Sequence, residues 1–230
     1  MSPDPGASEA LIRLFHVHKR YAAKQALSDL TLEIRENEFV FITGPSGAGK
    51  TTLLKLLYLG ETLSAGQVII DGMNLARISR NRIPQLRRQF GIIFQDYKLI
   101  ASKTVYENIA LVLEAAGEKP RWLQKKVNSV LRAVGMEDRN ASYPPSLSGG
   151  EQQRVAVARA IVGQPKIIVA DEPTGSLDEE SAGVIMTLLK KFHSTGGTLL
   201  VATHDMELIR RNDARVIHLD RGRLQPAPPL

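Results

Sequence analysis

A chain of 230 residues with 43% hydrophobic and 23% charged residues can bury one core, and its mixture is too ordinary for a disordered, collagenous or low-complexity protein. It holds no cysteine, which excludes disulfides, thiolate metal sites and cysteine nucleophiles and makes a cytosolic setting the expectation. The net charge of +6 is matched by the stretch from Arg77 to Lys103 alone, where seven cations stand against Asp96, so a local positive surface is expected, either a solvated face or a docking surface.

Residues 1 to 10 carry two prolines, a glycine and polar residues without periodicity and read as a disordered leader. They lack the apolar segment of a secretory signal, and no window approaches the roughly 18 apolar residues of a membrane helix. Alternating apolar residues over Leu11 to Val17 and Leu27 to Ile34, around a polar turn near Ala23 and Lys24, predict an antiparallel strand layer. Phe39 to Thr43 is a continuous β-type run that breaks at Gly44-Pro45-Ser46-Gly47, and Lys50 to Leu59 has leucines at helical spacing. A strand over Gln67 to Ile70, a helix over Ile83 to Gln89 and a strand over Gly91 to Phe94 follow. Thr104 to Ala116 and Trp122 to Val134 have helical spacing with no strand between them, which predicts a helical subdomain at about 97 to 148, ended by Pro144-Pro145. The last third alternates: helix 151 to 162, strand 167 to 170, helix 179 to 193, strand 198 to 202, a short helix from Asp205 and a strand 216 to 219. Such alternation implies a mostly parallel sheet covered by helices.

Gly44-Pro45-Ser46-Gly47-Ala48-Gly49-Lys50-Thr51 fits the phosphate-loop pattern G-x-x-x-x-G-K-[ST], after a β run and opening a helix. Glycines let backbone amides wrap phosphate oxygens, Lys50 reaches the β and γ phosphates, and the Thr51 hydroxyl is a magnesium ligand, with Thr52 beside it. Ile167 to Ala170 is an apolar strand ending in Asp171 and Glu172. Asp171 is expected to hold magnesium and Glu172 to polarise an attacking water. His204 ends the run Thr198 to Thr203, where open α/β sheets place ligands, and is a candidate γ-phosphate contact. Leu147-Ser148-Gly149-Gly150-Glu151 is a second glycine-rich helix start in a chain that already has a phosphate loop. One γ phosphate needs one cradle, so Ser148, Gly149 and Gly150 are expected to grip a nucleotide held by a second copy, in a symmetric dimer.

These motifs together resemble the ATP-binding cassette (ABC) family of ATPases, over essentially everything from Leu11 to about Leu224. The resemblance implies an α/β fold: an ABC-type P-loop nucleotide-binding domain with a mostly parallel core sheet, an antiparallel β layer and the helical subdomain. It would form one domain over 11–224 with a tail at 225–230, and would use ATP and Mg2+. It further implies that Tyr21 stacks on adenine and that Gln95 joins magnesium to the helical subdomain. Ser176-Leu177-Asp178 matches the loop that crosses the dimer interface, and His204 matches the switch histidine. Ser176 departs from the asparagine common in relatives, while Asp178 is retained.

The run Ile83-Pro84-Gln85-Leu86-Arg87-Arg88-Gln89-Phe90-Gly91-Ile92-Ile93-Phe94-Gln95-Asp96, with Lys98-Leu99-Ile100 and Thr104-Val105-Tyr106-Glu107-Asn108, is similar to the FtsE subfamily of bacterial cell-division ATPases. That resemblance implies a membrane partner of FtsX type, regulation of peptidoglycan hydrolysis, and a peripheral place on the cytoplasmic face of the inner membrane. There the basic stretch would face anionic headgroups. ATPases of lipoprotein-release and macrolide-export systems share much of the Gln95 neighbourhood and are the alternative. A nucleic-acid-linked ATPase is disfavoured by a single cassette, no room for a long coiled-coil insertion and only 5% aromatics. A non-hydrolysing switch is disfavoured by the presence of Glu172 and His204.

Overall fold

The structure, a computed structural model, describes residues 10–227. The expected leader therefore lies, but for Ala10, outside the described residues. The described residues divide into two compact units, one of residues 10–87 with 202–227 and the other of residues 88–201.

In the first unit, strands β1 (Ala10–Tyr21) and β2 (Lys24–Arg35) form an antiparallel hairpin. Strand β4 (Ala65–Ile70) pairs antiparallel with β1, and the two-residue β5 (Met73–Asn74) pairs with β4. Along β2 buried and exposed residues alternate, so one face of this layer carries Leu30, Leu32 and Ile34 inward while the other meets water. Register shifts interrupt the β1–β2 ladder between Leu14 and Val17, where His16 and its cross-strand neighbour Asp29 both take positive φ, 47° and 58°. The His16 Nδ1 to Asp29 Oδ1 contact of 2.6 Å crosses this bulge.

Strand β3 (Phe39–Thr43) is buried at all five positions, the continuous apolar run expected of a strand covered on both faces. It pairs in parallel with β9 (Arg215–Asp220), which turns back into β10 (Arg223–Gln225). Helices α1 (Lys50–Leu57), α2 (Ile83–Arg88) and α7 (Met206–Arg210) complete this part of the chain. The sequence reading anticipated neither β5 nor β10. Both are too short for a periodic signal, and β10 includes Gln225, the residue at which a tail was expected to begin.

In the second unit, β6 (Phe90–Ile93) and β7 (Ile167–Asp171) pair in parallel, and β8 (Thr198–Ala202) follows on the other side of β7. Against them stand α3 (Val105–Ala115), α4 (Pro120–Ala133), α5 (Gly149–Ile161) and α6 (Glu179–Ser194). The residue facing α5 where it crosses β6 is Gly91, whose Cβ would lie 2.5 Å from the Ala160 carbonyl oxygen, so only glycine permits this approach. Two helices start with reciprocal caps: Thr104 with Glu107 opens α3, and Ser148 with Glu151 opens α5. In each, the serine or threonine oxygen accepts the N–H three residues on, and the glutamate accepts the cap's own N–H, at 2.7 Å for Thr104 and 2.8 Å for Ser148. The helix starts anticipated at 104 and 151 thus lie within two residues of those observed. Among the described residues, no helix is long and apolar enough to cross a membrane.

Candidate functional site

In the first unit the turn from β3 into α1 passes through Gly44, Gly47 and Gly49 at φ of 143°, 78° and 108°. The demand for glycine is greatest at Gly44, where a Cβ would sit 2.0 Å from the Leu219 carbonyl oxygen on β9. Pro45, Ser46, Gly47 and Thr51 are exposed and Thr52 is half-buried, whereas Ala48 is tucked beneath the loop. A loop of this conformation, running into the first turn of a helix, turns unpaired N–H groups and a positive dipole end toward an anion. Lys50 is buried, and its ammonium donates to the Gly44 carbonyl at 2.7 Å and to that of Pro45 at 3.3 Å. The cation is therefore held across the loop.

The loop is supported from behind by a residue that sequence reading missed. Gly222, in the turn between β9 and β10, donates its N–H to the Ala48 carbonyl at 2.9 Å, and its own carbonyl accepts from Ser28 at 2.8 Å. Its φ is 75°, and a Cβ there would lie 2.5 Å from the Ala26 carbonyl oxygen. The Arg221-Gly222 pair after a β-type run was the available signal.

Thr203 donates its N–H to the Ile42 carbonyl at 3.1 Å. The next residue, His204, is exposed and thus lies at the end of β3 from which the phosphate loop departs. Tyr21 ends β1 with 38% of its surface exposed. The Lys19 ammonium stands 4.5 Å from the centre of the Tyr21 ring while donating to Glu61 Oε2 at 2.9 Å and to the Thr62 carbonyl at 2.8 Å. Lys19 is only 7% exposed, and its hydrogen bond holds the Glu61 carboxyl below the ordinary glutamate range. Neither Lys19 nor Glu61 was singled out in the sequence, where a lysine two residues before a tyrosine carries no pattern of its own.

In the second unit, Ile93 of β6 lies opposite Ala170 of β7 in the parallel register. Gln95 and the pair Asp171-Glu172 therefore leave neighbouring strands at the same, carboxyl-terminal edge. Asp171 is half-buried, and Glu172 takes φ of 47°, a left-handed conformation uncommon for glutamate that re-aims its side chain away from the strand direction. Beyond Gln95, Tyr97 and Lys98 also have positive φ, 57° and 49°. The Arg159 guanidinium fixes this turn by donating to both carbonyls, at 2.7 Å to Tyr97 and 2.5 Å to Lys98. Burial lowers the pKa of that guanidinium.

The start of α5 meets the same region. A Cβ on Gly149 would come within 3.0 Å of the Tyr97 hydroxyl, and one on Gly150 within 2.6 Å of Ser181 Oγ. The Tyr97 hydroxyl also lies 3.2 Å from Ser176 Oγ. Ser148 accepts the Glu151 N–H with its hydroxyl oxygen and hydrogen-bonds the Glu151 carboxyl with the same hydroxyl, beside the first-turn N–H groups of Gly149 and Gly150, which have no partner within the helix. Asp178 caps α6, accepting from the Ser181 N–H at 2.8 Å and from its hydroxyl at 2.9 Å. The Ser181 amide and hydroxyl hold the Asp178 carboxyl below the ordinary aspartate range. The second unit thus brings together Gln95, Ser148 to Gly150, Asp171, Glu172 and Ser176 to Asp178, and in the first Gly44 to Thr52 and His204 lie at the same end of β3 while Tyr21 stands with Lys19 and Glu61.

A phosphate-binding loop and a carboxylate-tipped strand occur in many nucleotide enzymes, but a second glycine-rich helix start with a serine cap is far more restrictive. Residues 27–175 match the family described as ABC transporter. Over 216 residues the chain is 43% identical to the cell division ATP-binding protein FtsE of Streptococcus pneumoniae, covering 94% of each. It is 44% identical over 215 residues to FtsE of Escherichia coli K12, covering 93% of this chain and 97% of that one. Among solved structures, the dimeric post-hydrolysis state of the ATP-binding cassette MJ0796, bound to ADP and Pi, superposes with a TM-score of 0.86 at 35% identity, over 93% of this chain and 96% of that one. With a family match over most of its length and relatives this similar along nearly all of it, the chain belongs to the ABC transporter family.

Proposed function

We propose that this protein is the MgATP-hydrolysing subunit of a bacterial cell-division complex, working as a dimer that closes on ATP and drives a membrane partner of FtsX type to regulate cell-wall hydrolysis. The observation that carries the reading is the near-full-length similarity to FtsE proteins, at 41% identity in Bacillus subtilis and 44% in Escherichia coli. The family is one of ATP hydrolases, and the MJ0796 cassette is dimeric in its solved structures.

In this reading the Gly44 to Thr52 segment holds the phosphates, Lys50 swings from its loop carbonyls to the β and γ oxygens, and Tyr21 stacks on the base. Thr51, Gln95 and Asp171 offer hydroxyl, amide and carboxylate oxygens, hard donors that would suit magnesium, which when bound would neutralise phosphate charge. Glu172, aimed by its left-handed backbone, accepts a proton from the attacking water as the water oxygen bonds to the γ phosphorus and the bond to the bridging oxygen breaks. His204 contacts the γ phosphate. Ser148, Gly149 and Gly150 donate to the nucleotide of the second copy, and Ser176 to Asp178 cross between copies. Such a protein sits peripherally on the cytoplasmic face of the inner membrane.

The test is affinity capture with Glu172→Gln, loaded with ATP and magnesium, from detergent-solubilised membranes. Recovery of a membrane protein with a large extracytoplasmic domain, together with cell-wall hydrolase regulators, is expected. Recovery of a lipoprotein- or drug-export permease would instead move the chain to that branch with its ATPase chemistry unchanged.

A further inference from the structure

We propose that the outward face of α4 is a docking surface for anionic lipid headgroups, with Trp122 as its interfacial anchor. Between residues 119 and 133 the chain has Lys119, Arg121, Lys125, Lys126 and Arg132 and no acidic residue. The sum of charge hides this second basic concentration, because acidic residues elsewhere offset it. Val127, Val130 and Leu131 turn α4's apolar stripe inward. At about 100° per residue, Arg121, Trp122, Lys125, Ser129 and Arg132 then fall on the opposite side, and all five are exposed.

Trp122 is 42% exposed, with the Arg121 guanidinium 5.3 Å and the Lys125 ammonium 5.8 Å from its ring. Lys126 is paired with Glu118, while Arg121, Lys125 and Arg132 have no ion pair among the described residues. Arg88 adds its charge at the near end of α3, donating to the Ala116 carbonyl at 3.3 Å. The further carboxylates close by in sequence are the exposed Glu114 on the last turn of α3 and the exposed Glu137 and Asp138 beyond the end of α4.

A face kept charged only for solubility has no use for an indole at its centre. An indole among cations is what the boundary between headgroups and acyl chains accepts: the ring sits at headgroup depth while lysine and arginine pair with phosphates. Each cation near an anionic leaflet raises affinity on the order of fivefold. Because α4's apolar stripe is used for packing, attachment rests on charge and one aromatic, so it is reversible and weakened by salt. The inference rests on the membrane-bound reading above but concerns a surface separate from the Arg77 to Lys103 stretch.

Trp122 is the sole tryptophan, so its emission reports directly on this face. The purified full chain is titrated with vesicles of phosphatidylglycerol and phosphatidylcholine, and with phosphatidylcholine alone, at low and high salt. Expected are a blue shift and co-sedimentation with the anionic vesicles only, reversal by salt, and a loss of affinity of about tenfold or more in R121E/K125E with ATP hydrolysis in solution unchanged. Unshifted emission, or undiminished vesicle binding by R121E/K125E, would overturn the proposal. So would a shift given more strongly by duplex DNA than by the vesicles. Binding only to vesicles that contain the captured membrane protein would overturn it while leaving the proposed function standing. Vesicle binding with no membrane protein ever captured by Glu172→Gln would do the reverse.

Discussion

The side-chain amide of Gln153 donates a 2.6 Å hydrogen bond to the carbonyl oxygen of Pro173. It thereby fastens α5, the helix that Ser148 opens, to the turn that immediately follows Glu172. The carbonyl only accepts, so the amide nitrogen must face it, and Gln153 Oε1 is left buried without a partner. Substituting Gln153→Met removes the unpaired Oε1 but leaves the buried Pro173 carbonyl without its donor, so the number of unpaired acceptors is unchanged and stability should fall by about 1 kcal/mol, the worth of the lost bond. Glu172 loses the support that holds its left-handed backbone, and turnover should fall about tenfold or more with ATP affinity retained. Steady-state kinetics beside nucleotide titration checks this, and an unchanged turnover number would show that Gln153 only packs.

Gly44 has no room for a side chain, since a Cβ would lie 2.0 Å from a backbone oxygen on β9, the strand hydrogen-bonded to β3. Gly44→Ala must therefore push β3 and β9 apart or refold the loop. Such overpacking costs roughly 1–3 kcal/mol, and the displaced amides should lose nucleotide as well. Gly47→Ala makes the control: a Cβ there meets nothing within 4 Å, although φ is 78°. Thermal melts with and without ATP should show Gly44→Ala the worse of the two in both respects.

The order of strands and helices was legible in the sequence because each long element carries its own period: alternation in β2, a continuous apolar run in β3, leucine spacing in α1. The phosphate loop, the acidic pair at 171–172 and the capped start of α5 were legible because local chemistry dictates them. What stayed hidden depends on residues far apart in the chain. Gly222 touches the phosphate loop only because β9 runs beside β3, and Lys19 meets Glu61 only because β1 folds against the segment after α1. Gln153 looked like one more polar residue on a helix, and nothing in its neighbourhood marks it as the one that points at Pro173.

Lys19 stands over the Tyr21 ring and is itself held by Glu61 and Thr62. A cation on one face draws π density from the ring and fixes its tilt, leaving the exposed face ready to stack on a purine. Lys19→Met should therefore weaken ATP binding about three- to tenfold, from roughly 0.5–1.5 kcal/mol of stacking, while leaving affinity for inorganic triphosphate unchanged. Tyr21→Ala sets the full size of the base contribution. If Tyr21→Ala binds ATP as the unaltered chain does, the tyrosine does not meet the base. If only Lys19→Met is silent, the lysine serves the fold alone.

Asp178 ties the loop of Ser176 and Leu177 to the start of α6 through a carboxylate whose pKa lies below the ordinary aspartate value of 3.8, because the Ser181 amide and hydroxyl donate to it. The folded state therefore prefers the ionised form. Its stabilising contribution is fully present above the ordinary value and is lost as pH falls through the lower folded value. Asn is a comparable helix cap but carries no charge. The melting temperatures of the unaltered chain and Asp178→Asn should thus differ most near neutral pH and converge as pH drops below about 3.8. Glu151, held low chiefly by the Ser148 N–H, should behave alike in Glu151→Gln. A difference that stays constant down to acid would mean that the side chains' shape, and not their charge, holds the two helix starts.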